Sequence, residues 1–275
     1  TITGGLGTTS DTITITGVSD TLYEGAEDIT LALDSFSNAL AGTTTSQTLS
    51  VTDDDSAPTI TVDAATSTAT EGDGTVTVGV TLGAASGLDA TIPYTVSGTA
   101  TGSGTDHDLA DGSLTILAGA TTGSVDISIT MDSLYEGDET VIVTMSTGSL
   151  TNASAGATPQ HTVIITDNDS APTVAFDTSA ATAAKSAGAV TIDVSLGAAS
   201  GLDVTVPYTV SGSATGSGTH HDLADGSLTI TAGATTADIT INVTADALDE
   251  DDETVIVTMT TGSLVNATAG VTTEH

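Results

Sequence analysis

Thr75-Val-Thr-Val-Gly-Val-Thr-Leu82 alternates polar and apolar positions and puts Val76, Val78, Val80 and Leu82 on one face. A period of two is the mark of a strand with one buried face, since successive side chains of an extended chain point to opposite sides. Working outward, Val125-Asp-Ile-Ser-Ile-Thr-Met131 repeats the pattern, with Val125, Ile127, Ile129 and Met131 on one face. Thr140-Val-Ile-Val-Thr-Met145 and Val163-Ile-Ile-Thr166 continue it. β-Branched residues fill these runs, and Gly, Ser and Asp punctuate them. No stretch carries a 3.6-residue period. Seven strands are expected between positions 56 and 169: Thr59–Val62, Thr75–Leu82, Thr91–Ser97, Ser113–Ile116, Ser124–Met131, Thr140–Ser146 and Thr162–Thr166. So many short alternating strands in one domain-sized stretch predict an all-β fold, a Greek-key sandwich of immunoglobulin type. Pro93 and Pro207 interrupt strand runs and predict an edge strand or a bulge there.

The same runs return. Ser56-Ala-Pro-Thr-Ile recurs as Ser170-Ala-Pro-Thr-Val, and 170 − 56 = 114. Leu82-Gly-Ala-Ala-Ser-Gly-Leu-Asp89 recurs unchanged at Leu196–Asp203, again 114 on. A period this long is a whole domain. The chain therefore divides into 1–55, the C-terminal half of one domain; 56–169, a complete domain; and 170–275, a domain without its last strand. Thr1-Ile-Thr matches Thr115-Ile-Leu, and His275 matches His161. These ends read as a window cut from a longer tandem array. The rival reading is completion by a neighbouring chain, as in donor-strand addition. Pro58 and Pro172 stiffen short junctions, which favours a semi-rigid rod.

Composition excludes several functions. Thirty-six acids face one Lys or Arg, giving a formal net charge of −35. Nucleic acid and anionic membrane surfaces are unsuitable partners for such a chain. Cys is absent, so no disulfide secures the fold. No apolar run approaches the roughly 18 residues of a membrane span. Aromatics are 2% of the chain, so the cores must be built from Val, Ile, Leu, Ala and Thr. The composition fits an extracellular or cell-surface rod.

One acidic stretch is written three times. It reads Asp20-Thr-Leu-Tyr-Glu24-Gly-Ala-Glu27, then Asp132-Ser-Leu-Tyr-Glu136-Gly-Asp-Glu139, then Asp246-Ala-Leu-Asp249-Glu250-Asp-Asp-Glu253. Two carboxylates about 4 Å apart at an effective dielectric near 20 repel by roughly 4 kcal/mol. A fold that repeats such a cluster must dilute it in water or bring a cation. Scattered acids would fit a salt-adapted surface; here acids recur at corresponding loop positions while exposed strand faces carry Thr and Ser.

Three features are characteristic in combination. The first is Tyr94-Thr-Val-Ser-Gly-Thr-Ala-Thr-Gly-Ser-Gly-Thr-Asp106-His-Asp108 followed by Gly112-Ser-Leu-Thr-Ile. The second is Asp132 with Glu136-Gly-Asp-Glu139 before a Val-rich strand, and the third a closing strand ending in Asp167-Asn-Asp169. Together they resemble the Calx-β domain, first described in sodium/calcium exchangers and common in bacterial surface proteins. The resemblance implies Ca2+ bound in loops at one end of the sandwich, near the next domain. Carried over residue by residue, it implies Glu71, Asp106, Asp132, Glu136, Glu139, Asp167 and Asp169 as ligands in the second copy. In the first copy it implies Asp20, Glu24, Glu27, Asp53, Asp54 and Asp55, and in the third Asp246, Glu250 and Glu253. Loops that gather carboxylates suit calcium, which takes six to eight oxygens, and carboxylates without Cys argue against zinc or copper.

The third copy departs from the pattern. Lys185, the only basic residue, stands where Glu71 stands, and His220 stands where Asp106 stands. A weaker site, or one with fewer ions, is expected there, with Lys185 either a built-in counter-ion or an exposed loop Lys. His107 and His221, and His161 and His275, recur at equivalent positions and read as framework; no catalytic residue is assigned. The function expected is a non-enzymatic, calcium-stabilised repeat segment of a large extracellular protein. Its partners would be calcium, neighbouring repeats of the same polypeptide and, in a filament, identical chains. The alternatives are an adhesin repeat binding carbohydrate or another cell, and a protomer of a filament or surface layer.

Overall fold

The computed structural model describes residues 10–157 and 159–275. Thr1-Ile-Thr, matched above to Thr115-Ile-Leu, lies outside the described residues.

Among its described residues the first copy forms one antiparallel hairpin, β1 (Glu27–Ala32) with β2 (Ser46–Val51). The second copy forms β3 (Ile60–Val62), β4 (Thr66–Thr70), β5 (Thr75–Leu82) and β6 (Ala90–Gly98). It continues with β7 (Gly112–Ile116), β8 (Thr122–Ser128), β9 (Glu139–Met145) and β10 (Gln160–Thr166). In the third copy follow β11 (Thr173–Phe176), β12 (Ala189–Leu196), β13 (Val204–Gly212), β14 (Gly226–Ile230), β15 (Thr236–Asn242), β16 (Val255–Met259) and the short β17 (Thr268–Ala269). The all-β sandwich class read from the alternation is the class observed.

In the second copy, sheet β3-β5-β8 faces sheet β4-β10-β9-β6-β7. Val78, Val80 and Ile127 from the first and Ile92, Val141, Val143 and Val163 from the second are fully buried in one core. Each such side chain contributes about 1.5–3 kcal/mol by leaving water, so aliphatic residues suffice. The third copy has its own core, built on Val174, Phe176, Val194, Val206 and Val257.

Three details differ from the pattern reading. Thr66–Thr70 is a strand although it shows no apolar alternation; it pairs in parallel with β10. Its third-copy counterpart, residues 180–184, forms no strand. Strand β8 ends at Ser128, and Met131 is 66% exposed because the chain turns outward before it. Pro93 lies in an interior strand rather than at an edge. It sits where β6 passes from pairing with β7 (Ala90–Tyr94) to pairing with β9 (Tyr94–Gly98), so its missing N–H interrupts neither ladder midway.

The parallel pairing matters for position. Strands β4 and β10 run the same way and end together, which delivers Glu71 and Asp167 to one end of the sandwich. The Glu71 N–H donates to Thr166 O at 3.1 Å, and Asn168 Nδ2 donates to Glu71 O at 2.7 Å. The chain leaving β8 and entering β9 brings Asp132 and Glu139 to the same end. The Thr130 N–H, which donates to Asp106 O at 2.9 Å, ties in the middle loop.

Candidate metal centre

Carboxylates from four separate segments converge at that end of the second copy. Glu71, Asp132 and Asp169 offer oxygens within 4.8 Å of one another, and so do Asp106, Asp132 and Glu136. Asp132 belongs to both groups, so its carboxylate would serve an ion held by either. Asp106 is buried, Glu71, Glu136 and Asp169 are half-buried, and Asp132 is exposed. Glu71 Oε2 and Asp169 Oδ2 are buried without a hydrogen-bond donor. Buried carboxylate oxygens are costly unless a donor or cation meets them. The set is all oxygen, which fits a hard divalent cation of the calcium kind and not zinc.

Backbone N–H groups hold Asp106, Asp132 and Asp167 in place. Asp167 Oδ2 accepts the N–H groups of Glu136 (3.0 Å) and Gly137 (3.2 Å), and its Oδ1 accepts that of Asp169 (2.8 Å). Asp132 Oδ1 accepts from Leu134 N at 2.7 Å. Asp106 Oδ2 accepts from Thr101 N at 2.5 Å. Gly137 sits at φ +84°, a left-handed turn that favours glycine.

The electrostatics show the strain of this packing. Burial, then the charges of Asp132, Asp167, Asp169 and Glu136, push the Glu71 carboxyl up to about 7. Burial, then a hydrogen bond and charge from Asp106, push Glu139 up to about 7. Glu136 is raised for the same reasons, burial first and then Asp106, Asp132 and Asp167. Desolvation and like charge both disfavour ionisation, and a cation would reverse both.

The other copies are built differently. In the first, Asp53, Asp54 and Asp55 lie within 4.8 Å of one another. Asp53 Oδ2 accepts from Glu24 N and Gly25 N, each at 2.8 Å, as Asp167 does. Asp20 stands near enough to help raise Asp55, after burial and the charges of Asp53 and Asp54. Glu24 and Glu27 join no such cluster among the described residues; Glu27 opens β1 opposite Val51. In the third, Lys185 Nζ lies 3.3 Å from Asp246 Oδ1 and 2.5 Å from Glu250 Oε2. His220 Nδ1 lies 2.6 Å from Glu253 Oε2. His220, Glu250 and Glu253 offer ligand atoms within 4.8 Å of one another, but the Lys185 ammonium already contacts Glu250 and Asp246, so a divalent ion here would have to displace a fixed cation.

The first two acidic stretches also touch the next copy. Tyr23 bridges Ser86, and Tyr135 bridges Ser200. The Gly87 N–H donates to Tyr23 O at 2.9 Å and the Gly201 N–H to Tyr135 O at 3.0 Å. Ser86 and Ser200 are each 1% exposed, and their hydroxyls donate to the same Tyr carbonyls. A Cβ built on Gly201 would fall inside the Glu136 side chain, and one on Gly87 inside that of Glu24. The sequence reading passed over these Ser and Gly residues. Their signal was the unchanged recurrence of Leu82–Asp89 at Leu196–Asp203, in a loop that sheet packing alone does not constrain.

His161 and His107 act as framework. His161 is 3% exposed, with Nδ1 2.7 Å from Ala64 O and Nε2 2.8 Å from Ser67 Oγ. His107 Nδ1 accepts from Leu109 N at 3.2 Å. Tyr94 and Tyr208 pack against the two cores.

The Calx-beta domain family matches residues 5–55, 53–169 and 167–274. No curated protein matches the chain. Among solved structures, the calcium binding domain CBD12 of CALX1.1 is 21% identical, with 73% of this chain and 79% of that one covered, at a TM-score of 0.37. CBD12 from CALX1.2 gives 20%, 73%, 79% and 0.37. The apo-form Calx CBD1 domain gives 22% identity over 42% of this chain and all (100%) of that one, at 0.38. Nothing of function follows from likenesses at these scores.

Proposed function

This chain belongs to the Calx-beta domain family, matched over three tandem segments, and from that premise we propose that it is a calcium-stabilised structural segment of a larger extracellular or cell-surface protein. It is divided as 1–55, 56–169 and 170–275, and its role is mechanical rather than enzymatic. The observation that carries this reading is the double cluster of the second copy. Glu71, Asp106, Asp132, Glu136 and Asp169 converge, and Glu71 Oε2 and Asp169 Oδ2 are buried without donors. Glu139 stands beside Asp106 in this set, and Asp167 holds the turn that carries Glu136.

Calcium would supply positive charge where the fold has gathered negative charge. Glu136 faces the cluster on one side and Gly201 of the next copy on the other. An ion held by Glu136 would therefore fix the junction as well as the site, and copies joined so make a semi-rigid rod. Extracellular modules bind calcium with dissociation constants of about 10⁻⁴–10⁻³ M, and that range is assigned here. At a concentration a hundred times the dissociation constant, binding to the folded state alone adds about 2.7 kcal/mol.

The test is a pair of thermal melts, one with millimolar calcium and one with chelator. The midpoint for the second copy is expected to rise with calcium and fall back with chelator. An unchanged midpoint would sink the reading.

A further inference from the structure

We infer that the third copy carries its own cation: the Lys185 ammonium takes the place of a calcium ion, and this copy holds its acidic end together without calcium. The inference rests on the calcium reading of the second copy. With an offset of 114 residues, Lys185 replaces Glu71 and His220 replaces Asp106, while Asp246, Glu250 and Glu253 replace Asp132, Glu136 and Glu139 in kind. Lys185 Nζ contacts the counterparts of Asp132 and Glu136, the two acids that face the second copy's second cluster. His220 Nδ1 stands 2.6 Å from Glu253 Oε2, where the second copy sets Asp106 against Glu139.

Charge decides the outcome. The five positions carry −5 in the second copy, from five acids. In the third they carry −3 + 1 = −2 with His220 neutral. An incoming divalent ion would have to displace an ammonium already in contact with two of the three remaining carboxylates. The backbone is recast to suit. In the second copy Glu71 is followed by Gly72 at φ +81°. In the third, Lys185 opens a 3-10 turn, Lys185–Ala187, that closes at Gly188 with φ +72°. This turn puts the long side chain over Asp246 and Glu250. A tethered cation is always present, so its effect does not depend on the calcium level.

The inference is tested on the full chain by counting bound calcium in equilibrium dialysis and by melting in chelator at low salt. D246N/E250Q is expected to leave the calcium count of the chain unchanged. A lowered count would overturn the inference. K185E/H220D restores the second copy's acids and is expected to add at least one bound ion; no added ion in the folded variant overturns it. K185M is expected to lower the chelator-state midpoint of the third copy by roughly 4 °C, and an unchanged midpoint overturns it. The two readings fail separately. A wild-type chain that binds no calcium would sink the proposed function of the second copy, while the K185M melt would still decide the role of Lys185.

Discussion

Glu71 is the residue at which packing and charge conflict most. It is half-buried, one oxygen has no donor, and four acids raise it. E71Q removes the charge and keeps the shape. In chelator the variant is expected to melt higher than wild type, because repulsion is relieved. With calcium it is expected to bind at least tenfold more weakly, a difference of about 1.4 kcal/mol. Melting curves and a calcium titration read both, and tighter binding by E71Q would remove Glu71 from the site. The same residue sets a pH dependence. Its folded value of about 7 lies above the ordinary 4.5, as does that of Glu139. A carboxyl raised on folding contributes stability that is fully present below 4.5 and lost as pH rises through about 7. The calcium-free chain is therefore expected to melt higher at pH 5.5 than at pH 8. Asp108, lowered by the Ser128 N–H, acts oppositely, but only below its ordinary 3.8. Calcium reverses the sign, since it needs the ionised form and expels protons near pH 7. Heats of binding should then vary with the ionisation enthalpy of the buffer.

At the scale of elements, the legible part was what alternates. Val76, Val78, Val80 and Leu82 gave β5 with its bounds, because one buried face imposes a period of two. Thr66–Thr70 was not legible: its strand rests on parallel pairing with β10, nearly a hundred positions on, and that partner leaves no local pattern. The acids were legible because they recur; their division into two groups sharing Asp132 was not, because it depends on loop geometry. The junction was least legible, since Gly201 matters for the space it leaves. Gly201 to Val would drive a side chain into Glu136. The junction between the second and third copies is expected to loosen while both cores keep their melting midpoints. Spin labels on either side of it should give a broader distance distribution than in wild type. Gly262 meets nothing within 4 Å of a built Cβ, so G262V is the control expected to leave the distribution unchanged. Equal distributions for G201V and wild type would separate Glu136 from the junction.

At the scale of the whole molecule, a formal charge of −35 poses two problems that calcium and salt solve differently. Repulsion between exposed acids is diffuse, and any salt screens it; the Debye length falls from about 8 Å at physiological ionic strength to about 3 Å at 1 M. Repulsion among Glu71, Asp106, Asp132 and Glu136 is short-range and half-buried, where screening reaches poorly. Sodium chloride should therefore raise the calcium-free midpoints of the chain while leaving the second-third junction broad. Calcium at millimolar concentration should narrow that junction with little effect on diffuse repulsion. Magnesium separates coordination from charge: it demands near-octahedral geometry and keeps its water, whereas loops of carboxylates suit the larger ion. The spin-label distance distribution is expected to narrow with calcium, to narrow less with equimolar magnesium and to stay broad in about 1 M sodium chloride. Narrowing by sodium chloride as complete as that by calcium would mean that the acidic ends are only a solvated surface, and that any stiffness at the junctions comes from their short Pro-containing linkers alone.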